Sequence, residues 1–151
     1  MHRWRRSVID DAGSAALEFI TVGVILLVPM IYLVVALGTI QEQILGAEAA
    51  ARHIARAIAQ APDAASAAAR GDVVLAQVID EYGLDAGAVD LTLSCRPTGT
   101  ECPSAGATII VTVATRARLP LVPEILALDR STAVPVQAQS VQKMSRLWGS
   151  E

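Results

Sequence analysis

From Phe19 to Gln41 the chain runs for 23 residues without a charge, FITVGVILLVPMIYLVVALGTIQ. About 20 apolar residues in a helix cover the roughly 30 Å hydrocarbon core of a bilayer. A helix apolar on every face has no side to show to water in a small soluble domain. The run therefore predicts a membrane-spanning helix over residues 14–41. Pro29 lies inside it, and a spanning helix tolerates proline with a kink rather than a break. The rest of the 151 residues is enough for one small domain beside this anchor.

The flanks predict an orientation. Arg3, Arg5 and Arg6 precede the run, whereas the first positive charge after it is Arg52, behind Glu42 and Glu48. Positive charge is retained in the cytoplasm, so the N-terminus is expected inside and residues after about 41 outside, in a single-pass protein of the cytoplasmic membrane. Composition removes other classes. With 18% charged residues and 53% hydrophobic ones the chain is not a disordered polymer. Its 12 Lys+Arg are outnumbered by 15 Asp+Glu, and only 3% of residues are aromatic. Direct nucleic-acid binding is not expected, because that needs a basic excess and stacking platforms.

Glu18 stands directly against Phe19 at the head of the apolar run. A carboxylate there is costly unless it is paired or lies in the headgroup layer. The simpler account is that Glu18 marks the interface. The order around it supports a more specific one: a basic leader, Asp10-Asp11-Ala12, then Gly13, Ser14-Ala15-Ala16-Leu17, Glu18 and Phe19. This order resembles the class III signal of type IV prepilins, in which a short charged leader ends in Gly and the mature chain carries Glu at its fifth position. The resemblance implies cleavage between Gly13 and Ser14 on the cytoplasmic side, leaving the apolar segment in the product. Glycine lets a backbone enter a narrow active site in extended form. Cutting would free an α-amine on Ser14, one helical turn from Glu18, where the two charges can pair as i,i+4 residues do. The carboxylate can equally meet a neighbouring copy's amine, which would set the register between helices. Phe19 takes the place of the Tyr frequent in such chains and keeps its bulk and aromaticity. A competing secretory site is Ala47-Glu48-Ala49, but secretory apolar cores of 7–15 residues are shorter than this run.

Beyond the span, residues 42–61 predict a helical extension. Ile44, Ala47, Ala51, Ile54 and Ile58 recur at helical spacing as a narrow apolar stripe. Glu48, Arg52 and Arg56 stand four apart on another face, a solvated pattern in the favourable acid-first order, and His53 has no partner ligand nearby in sequence. Residues 62–151 predict an α+β domain outside the membrane. Asp63 is expected to cap one short helix and Asp72 a second one, with Gly71 dividing them. Leu75, Val78, Ile79 and Tyr82 form the apolar face, and Gly83 is the expected C-cap. Strict alternation from Val89 to Arg96 marks a first strand, Thr108–Arg118 a second and Ser131–Met144 a third, with a helical turn at 124–128 between the last two. Pro135 restricts the third strand to an edge or a bulge. The expected head is thus a three-stranded antiparallel sheet packed on the helix around residues 72–82. Cys95 and Cys102 enclose six residues. In an oxidising space such a pair bridges, and the alternative is two free thiols.

The N-terminal motif from Gly13 to about Gly38, the hairpin with two cysteines, the LPLVP segment and a final strand together resemble the TadE-like family, minor pilins (pseudopilins) of tight-adherence (Tad/Flp) pilus systems. The N-terminal motif is the specific part of this likeness. It implies a structural subunit with four partners: a prepilin peptidase, other pilin subunits, the Tad membrane assembly platform and membrane lipid. No enzyme is expected, nor any cofactor or metal: there is no Ser/His/Asp set, no phosphate loop and no ligand cluster at metal spacing, and the adjacent carboxylates of Asp80 and Glu81 point to different sides of a helix. Two other classes remain open, a single-pass anchored binding module unrelated to pili and a secreted domain released after Ala49.

Overall fold

A computed structural model describes residues 11–99, 101–120 and 133–150. The elements follow in the order α1 (Asp11–Ala59), α2 (Ala64–Tyr82), β1 (Asp90–Arg96), β2 (Thr108–Ala117) and β3 (Val134–Lys143). The class is α+β. By its contacts the chain divides into two compact units, Met1–Leu37 and Gly38–Glu151. The boundary falls inside α1, so residues 38–61 belong to the same unit as residues 62–151.

α1 passes through Pro29 without interruption. In the second unit its C-terminal part carries Ala47, Ala50, Ala51, Ile54, Ala55 and Ile58 into the core. Ile44 was expected on that stripe but stands 40% exposed, and Gly46 is buried in its place. The reason is a neighbour: a Cβ on Gly46 would lie 2.9 Å from Tyr82 Cβ and 3.0 Å from Leu84 Cδ2, so the end of α2 crosses α1 here at the distance that only glycine allows.

Pro62 and Asp63 form the turn between the helices, as the sequence predicts. Asp63, in extended backbone, accepts a hydrogen bond from Ser66 N–H at 2.7 Å and another from Ser66 Oγ at 3.0 Å. These two bonds, the backbone one first, hold the Asp63 carboxyl below its ordinary value. A lowered folded-state pKa means that this cap contributes its full stability above the ordinary aspartate range and loses it as pH falls below that range through the lowered value. The expected break at Gly71 and Asp72 is absent: α2 is one helix of 19 residues. Gly71 is buried in its middle, where a Cβ would meet Ile54 Cγ2 at 3.7 Å and Ile58 Cγ1 at 4.0 Å. A glycine that reads as punctuation in the sequence therefore marks a close helix–helix approach. At the far end Gly83 takes the left-handed conformation (φ 58°) as the expected C-cap, its N–H bonded to Ile79 O.

The sheet is antiparallel in the order β1-β2-β3, with β2 central. β1 pairs with β2 from Asp90↔Ala114 to Arg96↔Thr108, and β2 with β3 from Thr108↔Lys143 to Ala117↔Val134. The period-two pattern predicts which face is inward. Ile109, Val111, Val113 and Ala117 of β2 are buried with Val136 and Ala138 of β3, and Leu91, Leu93 and Cys95 supply the same face of β1. Pro135 sits opposite Arg116 in the edge strand β3, the kind of position to which proline is confined in a sheet. The sheet shares one core with both helices, and α1 contributes more of that core than residues 72–82 do. α1 offers this core mostly alanine, with Ile54 and Ile58 as its larger buried side chains. The helical turn expected at residues 124–128 lies outside the described residues.

Cys95, buried at the end of β1, is bonded to Cys102, with Cα atoms 5.6 Å apart. The bridge closes the hairpin loop. The tail after β3 adds a second tie: Met144 N–H donates to Ala107 O at 2.8 Å and Gly106 N–H to Ser145 O at 2.9 Å. Replacing both cysteines by alanine should lower stability by about 2–3 kcal/mol through the regained freedom of the unfolded chain. Denaturant unfolding of the purified protein, with and without the pair, measures it.

Candidate functional site

The residues singled out at the N-terminal end all fall on α1. Gly13 and Ser14 are in its first turn, and Glu18 and Phe19 follow one turn later, both exposed. From Leu17 to Leu37 the large apolar side chains are uncovered all round the helix: Phe19 is 81% exposed and Leu26 66%. Mean hydropathy in this stretch reaches 2.7, and only 6% of that window is buried within the protein. A core helix of a soluble protein would be mostly covered. This helix is long and apolar enough to cross a membrane, judged by length and composition. Thr21, a polar side chain within the apolar run, gives its hydroxyl hydrogen to Leu17 O at 2.7 Å and so carries no unmet donor into an apolar surrounding.

Downstream, the candidate chemical residues do not converge. His53 is exposed on α1, and Asp80 and Glu81 are exposed on α2. Glu48 and Arg52 form the expected i,i+4 ion pair at 3.2 Å on the helix surface, a contact that stabilises by about 0.3–0.5 kcal/mol. Among the described residues no group of three His, Cys, Asp or Glu side chains is placed to hold a metal ion. A cleft of about 580 Å³ opens at one end of the sheet, between Ala88 and Asp90 before and in β1 and Arg116, Pro135 and Gln137 of the other strands. Thr115 also lines it, a buried threonine whose Oγ1 has no partner among the described residues. Beside it, Arg118 forms an ion pair with Asp85. This pair has no local signature, because it depends on the loop after α2 meeting the chain just past β2.

No family model matches the chain, and no curated protein or solved structure is significantly similar to it. Its function is therefore argued from its own residues.

Proposed function

We propose that this chain is a membrane-anchored minor pilin (pseudopilin) of a Tad-type pilus system. A prepilin peptidase cuts it between Gly13 and Ser14. α1 then holds it in the cytoplasmic membrane with the α+β head outside. The observation that carries this reading is the order of residues from Gly13 to Gln41: glycine, four small or apolar residues, a lone carboxylate at Glu18, then an uncharged helix whose large aliphatic side chains stand exposed through Leu37. A charge at the edge of such a helix is expensive in lipid, and the amine released at Ser14 is the group one turn away that can neutralise it. Processed helices would pack laterally through small residues such as Ala15, Ala16, Gly23 and Gly38, with Glu18 setting their register. The head, pinned by its disulfide, would be the part shown to the exterior.

N-terminal sequencing of the membrane-extracted protein, made with and without a prepilin peptidase, tests this reading. The expected first residue is Ser14 when the peptidase is present and Met1 when it is absent. Gly13→Val should leave the leader attached, and Glu18→Ala should insert but assemble poorly. A chain beginning at Met1 despite the peptidase supports the anchored binding module instead, and one beginning at Ala50 supports the secreted domain.

A further inference from the structure

The uncharged run stops at Gln41, but the apolar surface of α1 does not. Ile44 is 40% exposed and Leu45 55% exposed, although both belong to the second unit. They are not scattered. At 100° per residue, Val34, Leu37, Gln41, Ile44 and Leu45 fall on one side of the helix. The opposite side, with Gln43, Gly46, Ala47 and Ala50, is the buried one. The same exposed side continues into Glu48 and Arg52, the mutually paired charges. It is thus apolar or uncharged through Leu45 and charged from Glu48 onward.

Distance gives this side its meaning. Leu17 to Leu45 is 28 residue steps, about 42 Å along a helix at ~1.5 Å each. The hydrocarbon core is roughly 30 Å thick, and core plus headgroup layers about 40–45 Å. With Leu17 and Glu18 in one headgroup layer, Ile44 and Leu45 arrive in the other. The end of α2 lies at this same level within the second unit, since Gln43 Nε2 donates to Gly83 O at 3.5 Å and Tyr82 lies against Gly46. Half-buried Tyr82 is of the residue type that collects at membrane–water boundaries.

We propose that Ile44 and Leu45 are a lipid-contact surface of the head, embedded in the headgroup layer, and that the Glu48–Arg52 pair is the first point on this side of α1 to stand in water. The proposal rests on the reading of α1 as a spanning helix and adds to it the level at which Ile44 and Leu45 meet lipid.

The test uses the full chain, its two native cysteines bonded to each other, in phosphatidylcholine vesicles. Zwitterionic lipid is chosen because Asp80 and Glu81 are exposed at this end and an anionic surface would repel them. One added cysteine at a time, Leu27→Cys, Leu45→Cys or Arg52→Cys, carries an environment-sensitive fluorophore, and spin-labelled lipids quench it from the headgroup or from deep in the acyl chains. The expected result is deep quenching at position 27, headgroup quenching with a blue-shifted emission at position 45, and water-like emission at position 52. Water-like emission at position 45 with deep quenching at 27 overturns the proposal and leaves the span intact. A blue shift at 45 that ignores lipid quenchers but grows with the protein-to-lipid ratio also overturns it, because a second copy then covers the site. Water-like emission at position 27 overturns the spanning reading and this proposal with it.

Discussion

Ile54→Ala should lower the stability of the second unit by about 3 kcal/mol, within the ~2–5 kcal/mol found for large-to-small changes in packed cores. Ile54 is fully buried on α1, and its Cγ2 is one of the atoms facing Gly71 on α2. Among the described residues the largest fully buried side chains are Ile54, Ile109, Val111 and Val113. Alanines on α1 and α2 fill most of the remaining helical contact, and they have little freedom to move into a cavity, so relaxation is limited. Val73→Ala is the comparison. Val73 is 58% exposed on α2, and its truncation should stay within about 0.5 kcal/mol of the parent. Denaturant unfolding in detergent, followed by near-ultraviolet circular dichroism of Trp148 and Tyr82, measures both. Equal effects would show that the two helices are not packed as described.

The second large effect separates two glycines that look alike in sequence. Gly46→Ala and Gly71→Ala both place a methyl group in a helix interior, where alanine is normally preferred by about 1 kcal/mol. At Gly71 the new Cβ would be in ordinary contact with Ile54 and Ile58, at 3.7 and 4.0 Å. This variant should therefore keep most of the helical gain and become more stable. At Gly46 three side-chain atoms crowd the added carbon: Tyr82 Cβ at 2.9 Å, Leu84 Cδ2 at 3.0 Å and Tyr82 Cγ at 3.1 Å. Tyr82 Cβ is fixed to its backbone, so the end of α2 would have to move. The variant should lose about 1–3 kcal/mol. The opposite signs, read as shifts of unfolding midpoint in one experiment, are the decisive feature. A gain at Gly46 would mean that the crossing of α1 and the end of α2 is looser than the distances indicate.

The same two glycines show where the sequence was legible and where it was not. Asp63 and Gly83 were readable as caps because capping is local: an aspartate three residues before Ser66 and a glycine just past the last apolar residue carry their own meaning. The alternation from Val89 to Arg96 gave a strand because a two-residue period needs no knowledge of the partner. The register against β2 was not readable from it. Gly71 was misread as a divider because a helical glycine means either a break or a close neighbour, and the neighbour is 13 or more residues away in the chain. Ile44 was misplaced for a related reason: a 3,4 spacing leaves some freedom in where the stripe is centred, and only the position of α2 fixes it at Gly46. Cys95 and Cys102 were legible from spacing, and they are bonded. For Gly13, Ser14, Glu18 and Phe19, sequence order carries nearly everything, since their proposed roles depend on an enzyme and on neighbouring helices outside the chain.

The tail after β3 carries a consequence of its own. Its backbone is bonded to the β1–β2 connection at Ala107 and Gly106, and four residues after Ser145, Gly149 lines one cleft with Pro62, at the turn between the helices. Trp148, between those points, rests on the core. The tail therefore works as a clasp across parts of the fold that are far apart in the chain. A fluorophore or tag attached just past Ser150 would emerge beside the helical turn, not at the hairpin tip, and loosening either anchorage would be felt at the other.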